Sequence, residues 1–444
     1  MKNSGNSALK NGSGQKLYQQ ARSLIPGGTQ LLSKRPEMFA PELWPAYYSR
    51  AKGCRVWDLD DNEFLDMSIM GIGANILGYA DDDVDSAVKE AIDAGMNSSL
   101  NCPEEVELAE LLVDLHPWAS MTRYTRSGGE AMAVAVRIAR AHTRREKILF
   151  SGYHGWSDWY LAANLGEEDG LDGQLMPGLE PNGVARGLYG TAIPFHFNDI
   201  DNLREVIQGR EKEIAAIVVE PARGEEAPRK YLQILRDTAS EIGAVLIFDE
   251  ITSAFRMCAG GIHRRYGINP DIAVFAKGMA NGYAMAAIIG TESVMEAAQK
   301  TFISSTNWTE RIGPVAALAT IRKYMKENVQ DHIIAIGEKV LSMWREKAGD
   351  SDLEIETSGL PTLCHFAFQG EKAQILNTVY TIEMLKRGFL GFRQFKPSLA
   401  HSSQDVERYA GAVEEVFELI RSTKPESLLE TPMAHSGFHR LTKE

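Results

Sequence analysis

Lys277 stands in the run Phe275-Ala276-Lys277-Gly278-Met279, directly after an apolar stretch. A lysine flanked by Ala and Gly at the end of a buried strand has little reason to solvate a surface. Desolvation and nearby positive charge favour its neutral amine, the form that adds to an aldehyde to make a Schiff base. Asp249, followed by Glu250, closes the run Val245-Leu246-Ile247-Phe248. A carboxylate buried at a strand end needs a cation or donors, and a protonated pyridine-type nitrogen is one such partner; a structural salt bridge or a helix cap meets the same need. The stretch Arg126-Ser127-Gly128-Gly129-Glu130 opens a helix whose apolar face is Ala131, Val134, Ala135, Ile138 and Ala139. Small residues there let backbone N–H groups approach an anion such as phosphate, although a plain Ser/Gly N-cap reads the same way. Tyr153-His154-Gly155-Trp156 follows the apolar run 148–150. An aromatic ring at that strand end could stack on a flat heterocycle or simply pack in the core.

These residues have to be positioned by strands. Short apolar runs separated by helical patterns predict a mainly parallel sheet covered by helices on both faces, an α/β fold. The clearest strands are 214–219, 244–248, 271–275 and 286–289, and the first three lead to Glu220, Asp249 and Lys277. Ligands in open α/β sheets sit beyond the carboxyl ends of strands, so these side chains are expected to share one crevice. Earlier, 53–67 reads as two short strands around Asp60-Asp61-Asn62, and 82–94 as an amphipathic helix. Later, a helix over 313–325 is expected to continue into a long one around 331–347, and a last helix covers 403–420. The layout expected is a flexible tail (1–14), a small α+β domain assembled from 15–74 and 326–424, a large domain over 75–325, and a polar tail from 425 to 444.

The chain has 444 residues, 44% hydrophobic and 24% charged, enough apolar material for two or three packing units. Its formal net charge of −13 argues against nucleic acid and anionic membrane as partners but leaves small anionic ligands open. Four scattered cysteines, Cys54, Cys102, Cys258 and Cys364, have no metal-ligand spacing, which points to the reducing cytoplasm and to no metal site. No apolar run has the length of a membrane span, and the Asn/Ser/Gly-rich start does not have the pattern of a signal peptide.

Taken in order, the motifs resemble the class III aminotransferases of the type I pyridoxal-phosphate (PLP) fold, a family that includes glutamate-1-semialdehyde aminomutase. The resemblance runs from Ile25-Pro26-Gly27-Gly28 through Gly53-Cys54-Arg55-Val56-Trp57-Asp58 to Ser398-Leu399-Ala400-His401. It implies a PLP-dependent transferase fold and a ping-pong transamination. By it, Lys277 would be the Schiff-base lysine and general acid/base, and Asp249 the partner of the pyridine nitrogen. Ser127, Gly128 and Gly129 would hold the phosphate, Tyr153 would stack on the ring beside His154, Ile251 would back the other face, and Glu220 would lie near the substrate. A Thr lent by a second subunit, five residues before Pro314, would also reach the phosphate; the count gives Thr309, with Thr306 next, and implies a homodimer with a shared site.

The resemblance to the aminomutase weakens where a substrate would be chosen. Its Ser-Gly-Thr-Glu is Ser127-Gly128-Gly129-Glu130 here, and its Tyr-His-Gly-His ends in Trp156. Together with Leu32-Ser33-Lys34-Arg35-Pro36 and the run 308–314, these variants look closer to aminotransferases of surface-polysaccharide or aminosugar pathways. The expected reaction carries an amino group from a donor such as glutamate to a carbonyl acceptor, a sugar-pathway or small aldehyde or keto compound. The rivals are an aminomutase-type isomerase and a non-catalytic PLP-fold binding protein, the latter disfavoured by the presence of both Lys277 and Asp249. Lys34, Arg35, Arg223 and Arg256 are candidate groups for a substrate anion.

Overall fold

The computed structural model describes residues 11–166, 170–174, 178–222 and 224–437. It divides into two units: one spans Asp82–Gln330, the other takes the described residues up to Asp81 and from Asp331 onward.

The unit Asp82–Gln330 is built on seven strands: β1 (Met121–Thr125), β2 (Lys147–Ser151), β3 (Ala192–Pro194), β4 (Ile214–Val219), β5 (Val245–Asp249), β6 (Ile272–Phe275) and β7 (Ala286–Gly290). Their order is β1-β7-β6-β5-β4-β2-β3, and only β7 runs against its neighbours. Every residue of β4, β5, β6 and β7 is buried, as an apolar strand covered on both faces must be. On one face Ala216 and Val218 of β4 join Ala131, Val134, Ala135 and Ile138 of the helix Gly128–Thr143. On the other, Ile217 and Val219 join Tyr231, Leu232 and Leu235 of the helix Arg229–Ile242. The two-residue alternation of the strand thus feeds two helical layers at once.

The second unit is α+β and draws on both parts of the chain. Tyr48–Lys52, Arg55–Asp58 and Glu63–Met67 form an antiparallel run, to which Phe389–Gly391 adds in parallel, with Phe389 opposite Leu65. A smaller sheet comprises Ile355–Ser358, Cys364–Phe368 and Gln394–Phe395. Trp344, Phe366, Tyr380 and Phe417 pack at its core.

Four local expectations need correcting. Two strands were expected over 53–67, but a third, Tyr48–Lys52, precedes them; its exposed Tyr-Ser-Arg pattern carries no apolar alternation. Asp249 lies inside β5 as its last residue rather than just after it, opposite Val274. The helix Ile312–Lys326 does not run on into Val329–Asp350: Asn328 takes a left-handed φ of 49°, which ends one helix before the other starts. At the termini, residues 1–10 of the expected tail lie outside the described residues. Ser13 and Gly14 already belong to the helix Ser13–Leu24, and the C-terminal polar stretch is held at Ala434, whose N–H donates to Thr378 Oγ1.

Candidate active site

Strands β1, β2, β4, β5 and β6 all point the same way, so the residues beyond their carboxyl ends lie along one edge of the sheet. Ser127, Tyr153, Glu220, Asp249 and Lys277 each stand at such an end.

Asp249 is almost fully buried. Its Oδ2 accepts from His154 Nδ1 at 2.8 Å and its Oδ1 from the Ile251 N–H at 3.1 Å. His154 is buried as well, with Nε2 facing the Ser151 carbonyl at 3.2 Å. The carboxylate therefore has hydrogen-bond partners within the protein and keeps lone pairs for a further donor.

Glu250, one residue on, points into a separate buried network. It accepts from the N–H of Ile262 at 2.6 Å, the N–H of His263 at 3.0 Å, Ser253 Oγ at 3.0 Å and His263 Nδ1 at 2.5 Å. Because an indole N–H only donates, the 2.9 Å contact from Trp118 Nε1 makes His263 Nε2 the acceptor, and Nδ1 carries the hydrogen that faces Glu250. Burial alone would raise the carboxyl's pKa, but His263 and the N–H donors outweigh it and hold Glu250 below the ordinary range. Neighbouring His116 is pushed down to about 4, mainly by burial and then by His263.

At the start of the helix Gly128–Thr143 the Ser127 hydroxyl and Glu130 form a capping box. Ser127 is thus an N-cap, and its side chain is already engaged with Glu130. The first N–H groups of a helix have no acceptor within it, so those of Gly128 and Gly129 remain to meet an anion. A side chain at either glycine would displace a neighbour. A Cβ at Gly128 would lie 2.8 Å from Ile251 Cδ1, and one at Gly129 would lie 2.8 Å from Trp156 Nε1. Arg126 braces the same turn: its guanidinium donates to the carbonyls of Trp308 and Glu310 and pairs with the Glu310 carboxylate at 2.8 Å.

Lys277 adopts a left-handed φ of 48°, a costly conformation for a residue with a side chain, and such strain collects at functional sites. Its Nζ donates to Thr252 Oγ1 at 2.7 Å. The Tyr153 N–H donates to Glu220 Oε2 at 3.0 Å, and the absent Cβ of Gly152 leaves room for that carboxylate. Glu220 is buried and props the backbone of the Tyr153 loop.

Side-chain contacts therefore link Gly128 with Ile251, Tyr153 with Glu220, and His154 with Asp249. Thr309 sits in the single turn Thr306–Thr309, exposed, with its hydroxyl donated to the Thr306 carbonyl; Arg126 ties that segment to the helix start. Lys34 and Arg35 belong to the other unit, Lys34 exposed and Arg35 set against Gly27, whose φ of 73° and missing Cβ admit the guanidinium. Arg223 lies outside the described residues. Arg256, the remaining basic candidate, is fully buried, with Nε donating to the Thr252 carbonyl at 2.7 Å; burial pushes its pKa down to about 10. It braces the loop instead of meeting a substrate in solution. The sequence reading passed over Thr252, Arg126 and the pairing of His154 with Asp249. The one signal for Thr252 was a polar residue three places after the strand-end carboxylate.

An anion at a helix start, a heteroaromatic nitrogen at a buried carboxylate and an aldehyde at a lysine are demands of a single molecule, PLP. Gly128, Gly129, Asp249 and Lys277 are a donor set that could hold it. Among the described residues no helix is long and apolar enough to cross a membrane.

Comparison with known proteins agrees. The model of the family "Aminotransferase class-III" matches residues 39–383. A 3-aminobutyryl-CoA aminotransferase of Cloacimonas acidaminovorans is 31% identical over 421 residues, covering 90% of this chain and 97% of its own length. A glutamate-1-semialdehyde 2,1-aminomutase of Methanothermobacter thermautotrophicus is also 31% identical, covering 91% and 98%. Among solved structures, the FumI protein of Sphingopyxis sp. MTA144, determined with PLP, superposes with a TM-score of 0.83 at 25% identity, covering 94% of this chain and all of that one. The chain belongs to the class-III aminotransferase family and is a PLP-dependent aminotransferase of fold type I.

Proposed function

We propose that this enzyme carries PLP on Lys277 and moves an amino group from glutamate to a small aldehyde or keto acceptor, keto sugars among them. The observation that carries the site assignment is the adjacency of β5 and β6. Asp249 is registered against Val274, and Lys277 follows three residues later, just past the end of the neighbouring parallel strand.

When bound, PLP supplies an electron-accepting ring and a carbon that ferries the amino group. Asp249 keeps a proton on the ring nitrogen, and His154 holds Asp249 for that task. The N–H groups of Gly128 and Gly129 bind the phosphate, with Ser127 fixing their turn. Tyr153 and Ile251 would flank the ring, and Glu220 fixes the Tyr153 backbone. Lys277 Nζ would be the group that takes and returns a proton at the substrate carbon. Arg223 is the group assigned to the substrate's anionic end.

The enzyme is assigned as a homodimer in which Thr309 of each subunit serves the phosphate of the other. Phe302 is 83% exposed and Leu100 82%, large apolar side chains that a second copy would cover. Four free thiols suit the reducing cytoplasm.

Equal likeness to an aminotransferase and an aminomutase leaves the transferase reading to the site. Trp156 against Gly129 alters the wall that the aminomutase motif builds with Thr and His, which favours a different substrate. The test is to add excess glutamate to the PLP form without acceptor. Conversion to the pyridoxamine form with one equivalent of 2-oxoglutarate is expected. No half-reaction with any amino donor, together with turnover of glutamate-1-semialdehyde alone, would replace the transferase by an isomerase.

A further inference from the structure

We propose that Thr252 is a positioning residue for Lys277: its hydroxyl holds the amine in place whenever that amine is not bonded to the cofactor. The inference rests on Lys277 as the cofactor-bearing lysine and extends it to a residue with no role so far.

The contact itself is short, Nζ to Oγ1 at 2.7 Å, and the hydroxyl is nearly buried. What makes it directional is the rigidity on both sides. The Thr252 carbonyl accepts from buried Arg256. On the preceding side, Asp249 Oδ1 holds the Ile251 N–H, and on the following side Ser253 Oγ and the Ala254 N–H return to Glu250, whose carboxylate is tied to Ile262 and His263. A β-branched side chain on a backbone fixed this way has restricted rotamer freedom, which narrows the directions its hydroxyl can face. On the other partner, the left-handed backbone at Lys277 lies between buried Ala276 and Gly278. The lysine is thus anchored at its root by the strand end and at its tip by Thr252, with a four-carbon stem between.

The Thr252 contact narrows the rotamers of a freed amine on that stem, and each excursion avoided shortens its return to the reacting carbons. A hydroxyl suits this task because it accepts from an ammonium and donates to a neutral amine, so the contact outlasts the lysine's change of protonation. When the amine adds to the aldehyde, a C=N bond forms and water leaves, and the hydroxyl is released.

The test uses the full chain freed of cofactor, mixed rapidly with PLP while the yellow band is followed. In parallel, equilibrium binding of pyridoxamine 5′-phosphate is measured, a probe with no aldehyde for Lys277. Thr252→Val removes the hydroxyl at constant shape and Thr252→Ser restores it. The concentration-independent phase, in which Lys277 bonds to the aldehyde, is expected to slow about tenfold in Thr252→Val, the factor for one hydrogen bond of about 1.4 kcal/mol. It should stay within about twofold of the parent in Thr252→Ser, since the bond is remade. Pyridoxamine phosphate should bind all three proteins alike. Capture by Thr252→Val at the parental rate, no recovery in the Ser variant, or loss of pyridoxamine phosphate binding would overturn the proposal. Lys277→Ala is run alongside: the same slow phase in that variant would instead remove Lys277 from its role.

Discussion

Replacing Glu250 with Gln tests whether the buried network behind the site is what keeps its loop in place. The carboxylate accepts four hydrogen bonds, two of them from backbone N–H groups of Ile262 and His263. A Gln has one oxygen to offer and turns an NH2 group toward donors. At least one buried N–H then faces another donor, and a charge that met His263 is lost, a cost of about 3 kcal/mol. For a unit the size of Asp82–Gln330 this lowers the melting temperature by about 6–12 °C, at about 2–4 °C per kcal/mol. The acid dependence gives a second readout. Glu250 has its pKa depressed in the fold, so its contribution is complete above the ordinary carboxyl value of 4.5 and is lost as pH falls through the depressed one. The difference between parent and Glu250→Gln should therefore be constant above about pH 4.5 and shrink below it. His116, held neutral by burial, also weakens the fold in acid, starting from its ordinary 6.5, and because the Glu250 charge raises its pKa the two proteins are compared in a shared His116→Gln background. Melts followed by circular dichroism from pH 3 to 8 measure both. Equal melting temperatures at pH 7, or a gap that widens in acid, would refute the account of the network.

Asp249→Asn should keep the fold, since an amide oxygen still accepts from His154 and only the 3.1 Å Ile251 N–H contact is given up, yet lose at least about 100-fold in kcat because an amide cannot hold the ring nitrogen protonated; steady-state kinetics beside a far-ultraviolet spectrum decide it. For the shared site, Lys277→Ala and Thr309→Ala homodimers should both be inactive or impaired, and verified heterodimers should regain turnover at the one site that keeps both residues. Heterodimers no better than their parents would assign the phosphate contact elsewhere, with Thr306 next to be tried.

The strands that carry the site could be read from the chain because a parallel strand covered on both faces must be apolar throughout. Ile214–Val219 announces itself, and the first polar residue after it marks the edge of the sheet. What escaped reading is what composition does not encode. His154 meets Asp249 across 95 positions, and Arg126 reaches Trp308 across 182; no local periodicity reports a partner so distant. Tyr48–Lys52 is a strand by pairing alone, its side chains largely exposed. The break at Asn328 turns on one residue's left-handed backbone between two strongly helical segments, and Asn was too ordinary there to foretell it. Thr252 had a legible position but an illegible purpose, because a hydroxyl's partner is known only once the chain has folded back on it.

The contact between Trp156 and Gly129 also bears on how such a site changes over generations. With the indole in place, any side chain at position 129 begins 2.8 Å from a ring nitrogen, so Thr cannot return there until the ring has gone or swung aside. The reverse step meets the same obstacle: a Trp cannot settle at position 156 over a branched neighbour. The two positions that separate this chain from the aminomutase motif are therefore coupled, since the residue tolerated at one depends on the residue at the other. The route between the two motifs leads through an intermediate with the small partner at both places.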